Sequence, residues 1–261
     1  MSPLVKARTF WGDRMKVSFP DNLAIYHYGV LDGQEIQVTN FIVDNLKEGD
    51  TFLDAGAHTG YYSLLASKIV GPRGSVHAFE PTPRTFGILK DNVASSARYN
   101  VILNEKALLE KQRTAEFADF GVRHGGLNSV LDLKELPKEF AELKEKEGLD
   151  IHKFRAEGIG LDEYCRERKV RPDLIKIDVE GAEYLLLSGA QDILRNYHPP
   201  LVIEIWDNEG RADNLKKVVS FLKILSYRPY QLANDLSLKP YRDGDGVDYD
   251  NFVFLWDKNR G

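Results

Sequence analysis

From residue 51 onward, short apolar runs alternate with stretches in which apolar residues recur every three or four positions. The first pattern suits a strand covered on both faces, the second an amphipathic helix. On this reading residues 51–55, 75–79, 101–103, 174–178 and 201–206 are strands. Helices are expected over 61–70, closed by Gly71-Pro72, and over 83–97, where Phe86, Leu89, Lys90 and Val93 keep helical spacing. Two more are expected over 183–194 and 214–225. Strands alternating with helices build βαβ units, which predicts an α/β fold around a mostly parallel sheet. The C-terminal end departs from the pattern. Residues 230–233 and 252–256 have no helix between them and predict an antiparallel edge pair.

The first fifty residues read differently. Runs 16–19 and 23–28 flank Pro20-Asp21-Asn22, where Pro presets φ and Asp and Asn tolerate turn geometry, so a β-hairpin is expected there. Val38, Phe41, Ile42 and Leu46 predict a helix over 38–46. A charged segment, 131–148, interrupts the alternation. Leu133, Leu136, Phe140 and Leu143 share one helical face, and Lys138–Glu142 and Glu142–Lys146 fall at i,i+4 spacing. It reads either as a lid over a substrate or as a solvated surface helix.

Composition narrows the function classes. The 261 residues carry 35 Lys and Arg against 40 Asp and Glu, a net charge of −5. A dedicated nucleic-acid binder would need the opposite balance to face phosphates, although a local basic patch remains compatible. The one cysteine, Cys165, allows no internal disulfide and fits a reducing compartment. Residues 1–10 lack the apolar core of a secretory signal, and no run approaches the roughly 20 apolar residues of a membrane span. The expectation is a cytoplasmic protein.

Candidate chemistry begins at Phe52-Leu53-Asp54-Ala55-Gly56-Ala57-His58-Thr59-Gly60. A strand ends in an acid, and two glycines precede a helix. Such turns place ligands at the carboxyl ends of parallel strands. A dinucleotide fingerprint needs a third glycine so that backbone amides reach the pyrophosphate. Here Asp54 stands where the first glycine would be. S-adenosylmethionine has no pyrophosphate and is cationic, so an acid beside the loop attracts it. In Ala78-Phe79-Glu80-Pro81, Glu80 follows Gly60 by 20 residues, the place from which an acid accepts hydrogen bonds from ribose hydroxyls. Asn104-Glu105-Lys106-Ala107 is where an adenine edge would lie.

The run Ile175-Lys176-Ile177-Asp178-Val179-Glu180-Gly181-Ala182-Glu183 puts charges inside a strand that should be buried. Lys176 then needs a partner, and Glu204, inside the apolar run 201–206, is the one expected. Glu183 would lie in a first helical turn, where the helix dipole favours its charge. Asp178 and Glu180 have no such explanation and are the better active-site candidates.

These three blocks together resemble the FkbM-type methyltransferase family, over roughly residues 10–256. The resemblance implies a Rossmann-like class I methyltransferase fold. Its mostly parallel seven-stranded sheet would end in an antiparallel C-terminal edge strand and be preceded by an N-terminal β-hairpin. One domain over 1–261 is expected: hairpin and helix (1–50), cofactor-binding half (51–130), charged helical insertion (131–150) and substrate side (151–261). The implied activity is S-adenosylmethionine-dependent methyl transfer to a hydroxyl of a small molecule, sugar or glycolipid. Asp54, Gly56, Ala57, His58, Thr59, Gly60, Glu80, Pro81, Asn104, Ala107 and Asp178 are the expected cofactor contacts. Asp178 is the expected base or substrate anchor, Glu180 a second anchor and His58 an alternative base.

A magnesium-assisted variant would use Asp178 with Asp207-Asn208. The acidic stretch 243–250 lacks a ligand at Val247 and a closing Glu, so it reads as a solvated loop rather than a calcium site. His124 and His152 flank the insertion and read as surface residues. Cys165 reads as a buried apolar residue. Trp11, Tyr26 and Tyr28 either line a sugar site or pack the hairpin. Rival readings are methylation of a protein or RNA, a scaffold that binds cofactor without turnover, and a nicotinamide-dependent enzyme.

Overall fold

The apolar runs between residues 51 and 204 form the parallel part of one sheet, as their pattern requires. The computed structural model describes residues 3–19, 22–119, 129–130, 152–205, 212–247 and 249–258. The expected segment 131–150, His124, and Asp207 with Asn208 lie outside the described residues. In chain order, β3 (Thr51–Ala55), α3 (Tyr61–Val70), β4 (Ser75–Phe79), α4 (Pro83–Ser95) and β5 (Val101–Asn104) form the first winding. The second contains α5 (Leu161–Arg168), β10 (Leu174–Ile177), α6 (Glu183–Ser188), α7 (Gln191–Tyr197), β11 (Leu201–Glu204) and α8 (Ala212–Ile224). The strands β12 (Tyr227–Leu232), β13 (Leu238–Pro240) and β14 (Asn251–Trp256) close the chain.

The sheet has eight strands in the order β13-β12-β14-β11-β10-β3-β4-β5. Strands β11, β10, β3, β4 and β5 are parallel. Strand β14 runs antiparallel between β11 and β12. This corrects the expected seven-stranded sheet: the reversed C-terminal strand is internal, and the edge belongs to β13, a three-residue strand that the sequence pattern is too short to reveal. Successive strand residues enter opposite cores. Phe52, Leu174 and Val202 pack with α3 and with α2 (Glu35–Asn45), while Leu53, Ile175 and Ile203 pack with α5 to α8. Burial on both faces is why these strands are predominantly apolar, with Asp54 and Lys176 the buried exceptions.

A second sheet was not foreseen. Strands β6 (Ala107–Leu109), β7 (Arg113–Asp119), β8 (Ser129–Val130) and β9 (His152–Gly160) pair in the order β6-β9-β7-β8. The expected hairpin at 16–28 also needs correction. Strand β2 (Arg14–Ser18) pairs antiparallel with β1 (Leu4–Arg8), around a turn in which Gly12 takes φ 97°. Residues Leu23–Tyr28 form helix α1, ended by Gly29 in the left-handed region. An alanine-sized side chain at Gly29 would lie 2.6 Å from the Phe10 nitrogen, so glycine is what lets α1 dock on the hairpin.

Asn92 of α4 ties this N-terminal unit to the core. Its carboxamide accepts from the Lys16 amide at 2.6 Å and donates to the Lys16 carbonyl at 3.0 Å and the Thr59 carbonyl at 2.8 Å. The side chain is buried, so its loss leaves dry backbone groups without partners. Asn92→Ala should therefore destabilise the protein by about 2–4 kcal/mol in urea unfolding. Asp91→Ala breaks only the exposed Lys16–Asp91 pair and should cost under about 1 kcal/mol. Equal losses in the two variants would refute this ranking.

Candidate active site

The strand order reverses between β3 and β10, with β4 on one side of β3 and β10 on the other. At such a switch point the connecting loops diverge and leave a crevice at the carboxyl ends of the strands. A cleft with about 1120 Å³ of empty space, its open mouth included, lies there. Gly56, Ala57, His58 and Thr59 line it after β3, Phe79 to Thr82 after β4, and Lys176 and Asp178 to Glu180 at the end of β10. Glu35, Tyr61 and Tyr62 also face it, with Lys106, Ala107 and Phe117 beyond β5.

The glycine loop is shaped by its neighbours. Gly56 has φ 80°, and a Cβ there would lie 1.7 Å from the Asp178 carbonyl oxygen, so the close approach that glycine permits is to the backbone after β10. Gly60, at φ 95°, precedes α3, where a Cβ would meet Leu89 of α4 at 2.6 Å. The loop amides are turned toward the protein. Those of Gly56 and Ala57 donate to the Phe79 carbonyl at 3.0 and 2.9 Å, and that of Gly60 to the Ala57 carbonyl at 2.8 Å. The His58 amide donates to Glu80 Oε2 at 3.1 Å, and the Thr82 amide to Oε1 at 2.9 Å. Burial pushes the Glu80 carboxyl up to about 7, against these two amides. Burial lowers His58, leaving a neutral imidazole at neutral pH.

Lys176 is 5% exposed and sits among acids. Its Nζ lies 3.0 Å from Asp178 Oδ2, 3.8 Å from Asp54 Oδ1 and 3.3 Å from the Gly56 carbonyl. Glu35 is a third carboxylate in its electrostatic surroundings. Burial alone would lower the ammonium, but Asp178, Asp54 and Glu35 together raise it above the usual lysine range. The expected Lys176–Glu204 pair is thus replaced. In the parallel register Lys176 stands beside Val202 on one side and Asp54 on the other.

Among the expected cofactor contacts, Gly56, Ala57, His58, Thr59, Glu80, Pro81, Ala107 and Asp178 line the cleft, as does Glu180. Asp54, Gly60 and Asn104 lie outside its lining. Asp54 is fully buried, accepts from the Ser63 hydroxyl at 2.6 Å and faces Lys176. Asn104 Nδ2 donates to the Ala78 carbonyl at 3.2 Å. Glu180 has φ 52°, a strained backbone of the kind that gathers at functional sites. Glu183 accepts from the Gly181 amide at 2.8 Å and from Asn214, which agrees with a structural role.

The sequence reading missed Glu35, Tyr62 and Lys176 as cleft residues. Glu35 opens α2, and the Tyr62 hydroxyl lies on it, 3.1 Å from its carbonyl oxygen and hydrogen-bonded to its carboxylate. Burial, then Asp178, pushes the Glu35 carboxyl up, against Lys176 and Tyr62. The helical spacing of 38–46 stopped three residues short of Glu35, and nothing in it linked that helix to Tyr62.

The weaker candidates fall elsewhere. Trp11 packs edge-on against Tyr61, and its indole N–H donates to Asp13 at 2.9 Å. Tyr26, Tyr28 and His152 are exposed, and Cys165 is buried. Asp243 pairs with Lys223 at 2.7 Å and Asp245 accepts from the Arg242 amide, as a solvated loop would arrange them. Among the described residues, no three His, Cys, Asp or Glu side chains group to hold a metal ion, and no helix is long and apolar enough to cross a membrane.

An acid-lined crevice at the carboxyl ends of a doubly wound sheet, with a carboxylate clamped after the second strand, is where such sheets bind their ligands. The methyltransferase FkbM domain family matches residues 54–229, and the chain belongs to that family. It is a methyltransferase. The chain is 28% identical to Methyltransferase sdnD of Sordaria araneosa, over 73% of this chain and 81% of that protein. It is 27% identical to 31-O-demethyl-FK506 methyltransferase FkbM of Streptomyces tacrolimicus, over 68% and 72% of the two chains. Identity to hexuronic acid methyltransferase AglP of Haloferax volcanii is 25%, over 75% and 71%.

Lys176 holds the crevice together, and its removal should be costly. Lys176→Met leaves Asp54 as a dry carboxylate beside Asp178 and should cost about 3–5 kcal/mol in chemical denaturation. Asp54→Asn leaves Lys176 its contacts to Asp178 and Gly56 and should cost less. A larger loss in Asp54→Asn would contradict the central role of the lysine.

Proposed function

We propose that the chain is an S-adenosylmethionine-dependent O-methyltransferase acting on a hydroxyl of a small molecule or sugar. The observation that carries the cofactor is the use of the loop amides. Those of Gly56, Ala57, His58 and Gly60 are all spent inside the protein, and that of His58 holds Glu80. A pyrophosphate would require amides turned outward. A carboxylate held by two amides and the Thr82 hydroxyl still keeps acceptor capacity for a ribose hydroxyl. The acids around the cleft, against Lys176 and Lys106, suit a cation. Bound there, the cofactor supplies an electrophilic methyl group. The oxygen acceptor is supported by the relative whose name gives 31-O-demethyl-FK506 as substrate, and the sugar class by the one whose name gives a hexuronic acid.

The protein's task is then to align an oxygen and take its proton. Alignment can supply up to about 7–11 kcal/mol of the barrier, and a positioned base about 10²–10⁴-fold in rate. Asp178 lines the cleft with one oxygen fixed by Lys176, and the other serves the acceptor in this reading. Neutral His58 offers an alternative base, and Glu180 a further anchor.

Two outcomes test this reading. Asp178→Asn should retain S-adenosylmethionine binding in calorimetry and lose about 10²–10⁴-fold in turnover. Unchanged turnover would remove Asp178 from the reaction. Glu80 should confer a pH dependence on cofactor binding. Hydroxyl donors favour its ionised form, whereas the free protein half-protonates it near pH 7. Affinity should therefore be full above pH 7 and fall by up to about tenfold per unit below it. Glu80→Gln should bind more weakly and with a flat profile over this range. A wild-type affinity independent of pH from 5 to 8 would contradict the role of Glu80.

A further inference from the structure

The cleft has two acidic ends. Glu80 marks one, after β4. Asp178, whose charge reaches Glu35, marks the other, after β10. Strand β3 lies between, so the ends are two strand spacings apart, about 10 Å. A nucleoside anchored by its ribose at Glu80 and extending over the glycine loop presents its far end to Glu35 and Asp178. Asp54, the acid of the glycine motif, cannot meet that end. It is fully buried, one oxygen takes the Ser63 hydroxyl, the other faces Lys176, and the residue does not line the cleft. Asp178 shares its charge with Lys176 at 3.0 Å, and the Gly56 carbonyl is also on that ammonium. Glu35 and Glu180 remain on the lining, and of the two it is Glu35 whose carboxylate Tyr62 fixes at the cleft wall.

We propose that Glu35, oriented by Tyr62, is the receptor for the cationic α-amino end of the cofactor, so that a helix outside the matched segment 54–229 completes the cofactor site. The inference rests on the S-adenosylmethionine reading above. A charged carboxylate at this place forms a charge-assisted hydrogen bond, stronger than the neutral bonds available from the loop. It also balances the cleft, since the cation relieves the repulsion between Glu35 and Asp178.

The test compares two ligands that differ in this end alone. S-adenosylhomocysteine carries the amino-acid tail, and methylthioadenosine has the same nucleoside without it. Calorimetry on the wild-type chain, Glu35→Gln and Tyr62→Phe reads both. Glu35→Gln should bind S-adenosylhomocysteine roughly ten- to hundredfold more weakly while holding methylthioadenosine within about twofold, the latter showing that the nucleoside site is intact. Tyr62→Phe keeps the charge and should weaken S-adenosylhomocysteine less. Equal loss of both ligands in Glu35→Gln would overturn the proposal, as would unchanged S-adenosylhomocysteine affinity with a raised KM for the acceptor. If the wild-type chain binds neither ligand, the cofactor reading itself fails, and this inference with it.

Discussion

The buried ammonium of Lys176 is the interaction on which the crevice depends. It lies between β3 and β10, where the sheet order reverses, and contacts Asp178, Asp54 and the Gly56 carbonyl. A buried cation survives only where paired charges and hydrogen bonds replace water. The residues that meet this need are the strand-end acids on either side of the switch point. One lysine thus holds together the two loops that must diverge to make a binding site, and neutralises acids that would otherwise repel each other across it.

The glycine loop follows from the same constraint. With the Asp178 carbonyl where a Cβ of residue 56 would sit, the two loops interlock at backbone level. The loop amides then close on Phe79 and Glu80 instead of opening toward a ligand. This sets the chemistry of the cleft. The amides of Gly56, Ala57, His58 and Gly60 are donated within the protein, and Glu35, Glu80, Asp178 and Glu180 line the cleft. The N-terminal unit adds to this arrangement, because Asn92 joins its hairpin to the Thr59 carbonyl and α2 delivers Glu35 to the cleft wall.

The parallel core was legible because burial on both faces leaves a predominantly apolar signature, as in the runs beginning at Thr51, Leu174 and Leu201, each interrupted by one charge. The hairpin was misplaced because Tyr26 and Tyr28 look β-prone, while the turn that matters is marked by Gly12. In the second sheet β6 and β8, of three and two residues, are too short to show a period, whereas the alternation of β7, with Ala115 and Phe117 buried, is present in the sequence. Lys176 is legible as a buried charge needing a partner, but the partners are Asp54 and Asp178 rather than Glu204. Strand registers decide whether Asp54 or Glu204 stands beside it, and register follows from packing between distant segments.

The amino-acid sequence by itself determined the α/β alternation, the position of the crevice at the strand ends, the placement of Glu80 there and the membership in a methyltransferase family. These features are local: periodicity, glycine at constrained backbone, and acids at fixed offsets from strand ends. Only the tertiary structure decided which acids reach the cleft. Asp54 is sequestered beneath Lys176, and Glu35, 19 residues earlier in the chain, is brought to the surface of the crevice. Both outcomes depend on long-range packing of α2 against α3 and of β10 beside β3, and no pattern along the chain encodes such distances.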